Sequence, residues 1–217
     1  MIYCIADKNG KRVNFRGNKE DLNYLYKVLG KYACTNDEIS NQHSAFKSRS
    51  QLNTYFFYEI RHCYLGDRNI INDGYFETYY KFISYECSFS WVYILFFINS
   101  IRRNMHFCDS SKLEQSILLY LEYWIETAMR NYDTTGAINL SKYITNHIDV
   151  DNKYLYQYMR KIDTLLTSMP NGKKTFRTID SLMLASDNTR PEYTELLTQL
   201  TLEAFDSKTT IDLLDWD

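Results

Sequence analysis

The alternation of apolar and polar residues near the N-terminus predicts a β-hairpin followed by an amphipathic helix. Two short β-prone runs, 2–6 and 12–16, flank an Asn-Gly pair, which is a good hairpin signal. Apolar residues then recur at helical spacing from Leu22, and we expect this helix to continue to about Ala33. Asn18 precedes the stripe and is suited to cap its N-terminus.

The middle of the chain predicts two helices separated by β-structure. Residues 34–47 are polar and aperiodic, so we expect a loop there. A helix is predicted over 49–65, and Gly66 is suited to the C′ position that follows it. Residues 68–87 are β-prone and contain an Asn-Asp-Gly turn signal. The helix predicted over 90–106 is apolar nearly all round, which is typical of a buried central helix.

From residue 109 onward the pattern changes to longer amphipathic helices. Ser111 and Glu114 match a capping box at the start of the first of them. Helices are predicted over 111–132, 140–147, 152–169, 176–184 and 191–205. Because no Gly/Ser-rich linker separates the halves, we expect one compact unit over 1–217, with an α+β part in 1–108 and an all-helical part in 109–217.

These elements predict an α+β fold, mainly helical, with small N-terminal antiparallel hairpins packed on a helical core. The composition agrees, because only 7 Gly and 2 Pro leave few sites for tight turns or helix breaks. The 20 Tyr supply many amphipathic rings that can serve as a binding surface. A genome rich in A and T would produce the same Tyr content without any such function.

Charge is distributed unevenly along the chain. Lys and Arg outnumber Asp and Glu by 14 to 10 in residues 1–108, whereas Asp and Glu outnumber Lys and Arg by 17 to 11 in residues 109–217. No stripe of basic residues stands out, so we expect no nucleic-acid partner. The charge difference between the halves is compatible with self-association, and the expected partner is an unknown protein or a second copy in a homodimer.

Cysteine usage and the lack of long apolar segments predict a soluble cytoplasmic protein. The five Cys include no C-x-x-C pair, so most are expected to be reduced and buried. The longest apolar run, 91–98, is far shorter than the roughly 20 residues of a spanning helix. The N-terminal residues do not resemble a signal peptide. We therefore expect no membrane association.

One segment of the second helix carries polar residues where a helical wheel predicts burial. Glu59 falls within the stripe formed by Phe56, Ile60 and Cys63, and a carboxylate there is costly unless it is paired. The candidate cations are Arg61, Arg68, Arg102 and Arg103. The sequence predicts a polar network of Tyr58, Glu59, Arg61, His62, Asp67 and Arg68. Within it, the favoured interpretation is a structural ion pair, either Asp67–Arg61 or Arg68–Glu59.

Metal and nucleophile patterns in the sequence are incomplete. Glu59 and His62 form an E-x-x-H pair, but a carboxylate-bridged di-iron site needs a second such pair, which the sequence lacks. His106, Cys108 and Asp109 lie close in sequence without further ligands at zinc spacing. Cys63 and His62 are adjacent on a helix, so their side chains diverge by about 100°. We predict no metal site and no cofactor.

The stretch from Tyr58 to Arg68 resembles the signature of an uncharacterised bacterial family, a domain of unknown function, with the pattern Tyr-Asp/Glu-Ile-Arg-His-x-x-x-Gly-Asp-Arg. An upstream Asp-Leu-x-x-Leu-Tyr element corresponds to residues 21–26, and an apolar Trp-x-x-Ile-Leu-Phe run corresponds to 91–96. The resemblance extends over about 13–105, and residues after 109 match no pattern. It implies no activity, because none is assigned to the family.

Two functions follow from these patterns. The leading hypothesis is a non-catalytic binding or protein-interaction module that uses an aromatic surface. The alternative is a hydrolase or nuclease-like enzyme with a site built from Glu59, His62, Asp67 and Arg68, because polar clusters on central helices often have perturbed pKa values. Whether these four side chains open into a solvent-filled pocket distinguishes the two.

Overall fold

A computed structural model describes residues 2–33, 44–72, 83–145 and 147–214. Within these ranges the chain is α+β and mainly helical, as predicted. Its strands form one antiparallel sheet of order β1-β2-β4-β3. The strands are β1 (Tyr3–Ala6), β2 (Arg12–Gly17), β3 (Asn69–Asn72) and β4 (Ile83–Ser90).

The sheet joins what the sequence predicts as separate hairpins. β2 pairs with β4 along its whole length, with Phe15 opposite Cys87 in the middle of the register. The sequence pattern identifies the strands but not this pairing, because β2 and β4 are far apart in the sequence. The turn predicted near residue 73 and the first part of the strand predicted before Ile83 lie outside the described residues.

The first two helices pack against each other, and the second of them also contacts the sheet at β4. α1 (Lys19–Gly30) begins as predicted, since the Asn18 side chain accepts a hydrogen bond from Asp21 N at 2.7 Å. α2 (Ser44–Leu65) begins earlier than the predicted residue 49, so the end of the predicted loop is helical. Residues 34–43 lie outside the described part of the chain.

α3 (Trp91–Met105) is the buried centre of the fold, as its apolar sequence predicts. Ser90 caps it by accepting a hydrogen bond from Tyr93 N, and every side chain from Trp91 to Ile101 is buried. α3 packs against α2, α4 (Lys112–Tyr132) and α7 (Leu155–Ser168). The capping box predicted at Ser111 is present at the start of α4.

The segment after α4 differs from the prediction of one helix over 140–147. It forms α5 (Thr134–Leu140) and α6 (Lys142–Thr145). Asp133 starts α5 by accepting a hydrogen bond from Gly136 N at 2.8 Å. Arg177 donates two further bonds to Asp133 and lowers the pKa of that carboxyl to about 2. This distant cation completes a helix start that the local sequence indicates only weakly.

The remaining helices lie close to their predicted ranges. They are α7, α8 (Lys173–Met183) and α9 (Pro191–Asp206), with short 3₁₀ turns at Leu184–Ser186 and Ile211–Leu213. The N-terminal hairpin contacts this helical part directly, since Gly172 N donates to Asn9 O at 2.8 Å and Lys11 Nζ donates to Thr167 O at 2.8 Å. No helix in the described ranges is long and apolar enough to cross a membrane.

Candidate functional site

The polar segment selected from the sequence is the C-terminal end of α2 and the turn after it. Gly66 has a φ of +88°, a left-handed conformation that suits glycine. Its N–H donates to Cys63 O at 3.0 Å, and Asp67 N donates to His62 O at 2.9 Å. These two bonds form a Schellman motif, which confirms Gly66 as the C′ residue. The turn directs the following residues back along α2.

Arg68 returns to Glu59 and binds it through both carboxylate oxygens. Arg68 Nε and Nη2 each donate to Glu59 at 2.8 Å, which is the bidentate geometry that guanidinium and carboxylate favour. The Glu59 side chain is only 13% exposed, while that of Arg68 is 32% exposed. The bonds to Glu59 raise the pKa of Arg68 above its ordinary value. Of the candidate cations for Glu59, the structure therefore selects Arg68.

A second pair lies beside the first. His62 Nδ1 is 2.8 Å from Asp67 Oδ2, and the His62 ring packs 4.2 Å from the Tyr58 ring. The Arg68 guanidinium also lies over Tyr58, at 5.9 Å from the ring centroid. Asp67 thus binds His62, whereas the sequence favoured Arg61 as its partner.

Arg61 does not join this cluster. It is exposed, and no hydrogen bond or ion pair connects it to any residue in the described ranges. The structure therefore brings together five of the six predicted residues. We call these five the α2-end cluster: Tyr58, Glu59, His62, Asp67 and Arg68.

The α2-end cluster shows no arrangement of a nucleophile and a base. Cys63 is fully buried, whereas its neighbour His62 on α2 is only partly buried. Cys63 lies against Cys87. The hydrogen bond between these two thiols and the burial of Cys87 raise the pKa of Cys87. Such thiols are poor nucleophiles because the reactive form is the thiolate. The adjacent Cys63 and His62 therefore do not act together.

The same cluster lies outside the four best-defined cavities of the described structure. None of these four is lined by Glu59, His62, Asp67 or Arg68. No group of three or more His, Cys, Asp or Glu in the described residues is arranged to hold a metal ion. The acids and bases of the α2-end cluster thus bind each other, which is the arrangement expected of side chains that stabilise a helix end.

A second candidate site is the outer face of α4. Four large side chains on it are exposed, namely Leu113, Leu119, Tyr120 and Tyr123, although α4 already buries a separate apolar stripe in the core. Tyr123 and Tyr120 pack on Trp124, with ring centroids 5.4 and 6.3 Å apart. We call these five residues the α4 face. The sequence signal is an apolar excess on α4 that exceeds the single stripe a surface helix needs.

One cavity adjoins the α4 face at Leu119. It has a volume of 240 Å³ and is lined by Met105, Leu118 and Leu119 together with the polar residues Arg102, His106, Ser110 and Gln115. A second cavity of 160 Å³ lies between β1 and the C-terminal end of α4, away from the face. The face therefore combines exposed apolar side chains with one adjoining recess.

Comparison with known proteins identifies one family. A family model described as a domain of unknown function, DUF6904, matches residues 7–216. The match includes the part after residue 109, for which the sequence pattern indicated no relationship. Neither the curated proteins nor the solved structures contain a significant match.

Proposed function

This chain belongs to the DUF6904 family, and we propose that it is a non-catalytic protein-interaction module that pairs with a second copy of itself through the α4 face. The observation that carries the proposal is the exposure of Leu113, Leu119 and Tyr123, each more than half accessible on one helix. Several large exposed apolar side chains on one helix favour a protein contact.

A second copy is the occupant that this face fits best. A two-fold contact must be self-complementary, because the same patch supplies both sides of the interface. Leu119 and Tyr123 protrude from α4, and the 240 Å³ cavity beside them is lined by Leu118 and Met105. One copy can thus insert side chains into the recess of the other. Burying a Leu or aromatic side chain contributes about 1.5–3 kcal/mol, so a few such anchors support a dimer.

Light scattering and sedimentation of the full chain test this proposal. We expect a dimer for the unmodified protein and a monomer for Leu119→Asp and Tyr123→Asp. The matched control is Leu202→Asp, because Leu202 is as exposed as Leu119 (59% against 57%) but lies on α9. A strict monomer that also retains no protein in a pull-down from cell extract would contradict the proposal, as would equal loss of the dimer in the control.

The enzymatic alternative has less support from the geometry. In a hydrolase or nuclease-like site, Glu59 or Asp67 would have to face substrate, but Arg68 and His62 already occupy these carboxylates. The alternative remains a prediction that an assay with model esters and phosphodiesters can test. Activity that disappears in Glu59→Gln without loss of thermal stability would favour it over the interaction module.

We also propose a bacterial origin and a cytoplasmic location. Supporting the location, Cys4, Cys63 and Cys87 are buried free thiols, which suit a reducing compartment. Fractionation of cells that express the chain would test the location, and recovery in a secreted fraction would contradict it.

A further inference from the structure

A small cleft lies where the end of β4, α2, α3 and α7 meet. It has a volume of 140 Å³, enough for about five water molecules or a compact organic molecule. Its walls come from both halves of the chain, with Arg12, Tyr55 and Ser90 on one side and Arg160 and Asp163 on the other. None of these residues belongs to the α2-end cluster or to the α4 face.

The positive groups of the cleft are two guanidiniums. Arg12 is held in place by Ser88, since its Nε donates to Ser88 Oγ at 2.9 Å and its Nη2 donates to Ser88 O at 2.7 Å. It also interacts with the Tyr55 hydroxyl. Arg160 faces the same space from α7. Fixed guanidinium groups bind carboxylates well, because they offer several donors in one plane.

The negative group is Asp163. Its Oδ1 atom is buried and accepts no hydrogen bond from any of the residues that the structure describes. Burial raises the pKa of Asp163, although Ser90, Arg12 and Arg160 act in the opposite direction. Because Asp163 lines the cleft, its carboxylate attracts the cationic group of a ligand there.

The floor of the cleft is aromatic and rigid. Tyr93 is buried, and its hydroxyl donates to Leu52 O at 2.8 Å. The Tyr55 ring meets it edge-on, with centroids 5.0 Å apart. These two rings give the cleft an aromatic wall.

We propose that this cleft binds a small zwitterion, an α-amino acid with a short side chain, whose carboxylate pairs with Arg12 and whose ammonium group donates to Asp163. Guanidinium groups alone would suit phosphate equally, but the carboxylate of Asp163 in the lining disfavours an anion that carries no cationic group. The cleft volume excludes large side chains. This site is separate from the α4 face and does not depend on self-association.

Thermal unfolding and calorimetric titration of the full chain test the ligand class. The probes are glycine, alanine and serine, with lactate, propionate, ethylamine and inorganic phosphate for comparison. A ligand that binds only the folded state raises Tm, so we expect the three amino acids to raise it. Lactate replaces the ammonium group of alanine by a hydroxyl and is expected to bind about tenfold more weakly or worse, since a charged hydrogen bond is lost.

Variants of the cleft connect this binding to named residues. Asp163→Asn and Arg12→Gln are each expected to weaken alanine binding by about tenfold or more. Asp206→Asn and Arg130→Gln remove the same charges from exposed positions outside the cleft and are the matched controls. The Tm of each variant without ligand shows whether it folds.

Three results would overturn the proposal. The first is that none of the amino acids raises Tm or produces heat on titration. The second is that phosphate or lactate binds as tightly as alanine, which would remove the role of the ammonium group. The third is that a folded Asp163→Asn and a folded Arg12→Gln both bind alanine as well as the unmodified chain does.

Discussion

The α2-end cluster and the cleft contain the same kinds of side chain but differ in how completely these are satisfied. At the end of α2, Arg68 binds both oxygens of Glu59, and Asp67 binds His62. In the cleft, Asp163 keeps a buried oxygen that no described residue binds. Polar groups that satisfy each other stabilise a fold, whereas charged side chains that line a cleft are available to a ligand. This difference separates the structural site from the binding site.

The largest expected effect comes from removing the cation that pairs with Glu59. Arg68→Met leaves a mostly buried carboxylate without its partner, and we expect a loss of about 3 kcal/mol in the free energy of unfolding. Urea denaturation measures it. Arg61→Met is the matched control, because exposed Arg61 has no partner within the described ranges and should change stability by less than about 0.5 kcal/mol. Equal losses of unfolding free energy in the two variants would show that the Glu59–Arg68 pair contributes no specific stabilisation.

The next effect concerns the turn that brings the two pairs together. Gly66→Ala places a Cβ at a φ of +88°, which we expect to cost about 1–2 kcal/mol in unfolding free energy. Gly30→Ala is the control, since Gly30 closes α1 with ordinary helical geometry and an added Cβ there meets only Phe57 at 3.9 Å. We expect this control to be neutral or stabilising. A Tm that falls equally in both variants would contradict the Schellman assignment; thermal unfolding measures it.

A smaller effect is expected for the half-exposed pair. His62→Ala and Asp67→Asn, measured singly and together, should give a coupling energy of about 0.5 kcal/mol, because solvent screens ion pairs of this exposure. A double-mutant cycle from denaturation curves provides the value. Coupling above about 2 kcal/mol would indicate a more deeply connected network than the contacts describe.

The smallest expected change has the opposite sign and concerns the cleft. Asp163→Asn removes a charge that burial disfavours, so we expect stability at neutral pH to stay equal or rise by about 0.5 kcal/mol. Because the folded pKa of Asp163 is raised, the folded state keeps this proton to a higher pH than the unfolded chain does. Its stabilising contribution is therefore greatest below the unfolded pKa and is lost as pH rises through the folded pKa.

Denaturation of both proteins at acidic and neutral pH checks this sign. The advantage of the Asn variant should grow as pH rises, since Asn resembles the protonated acid. A variant that becomes less stable than the unmodified chain at neutral pH would place Asp163 among satisfied ion pairs such as Glu59–Arg68, and the contrast between the two sites would disappear.

Local sequence determined the elements and the α2-end cluster. The caps at Asn18, Ser111 and Gly66 depend on hydrogen bonds that span only a few residues, so residue type and spacing predict them. Glu59 and Arg68 are close in sequence, and a helix followed by a left-handed glycine brings them together. The all-apolar α3 likewise predicts its own burial.

Tertiary structure alone decided the β2–β4 pairing and the cleft. Periodicity shows which face of an element is buried but not which element covers it. Arg12 and Asp163 lie on a strand and a helix that meet only because the N-terminal hairpin docks on the loop after α7. In the sequence, Arg12 and Asp163 each resemble an ordinary surface charge. Only packing gives Arg12 a fixed geometry and buries an oxygen of Asp163.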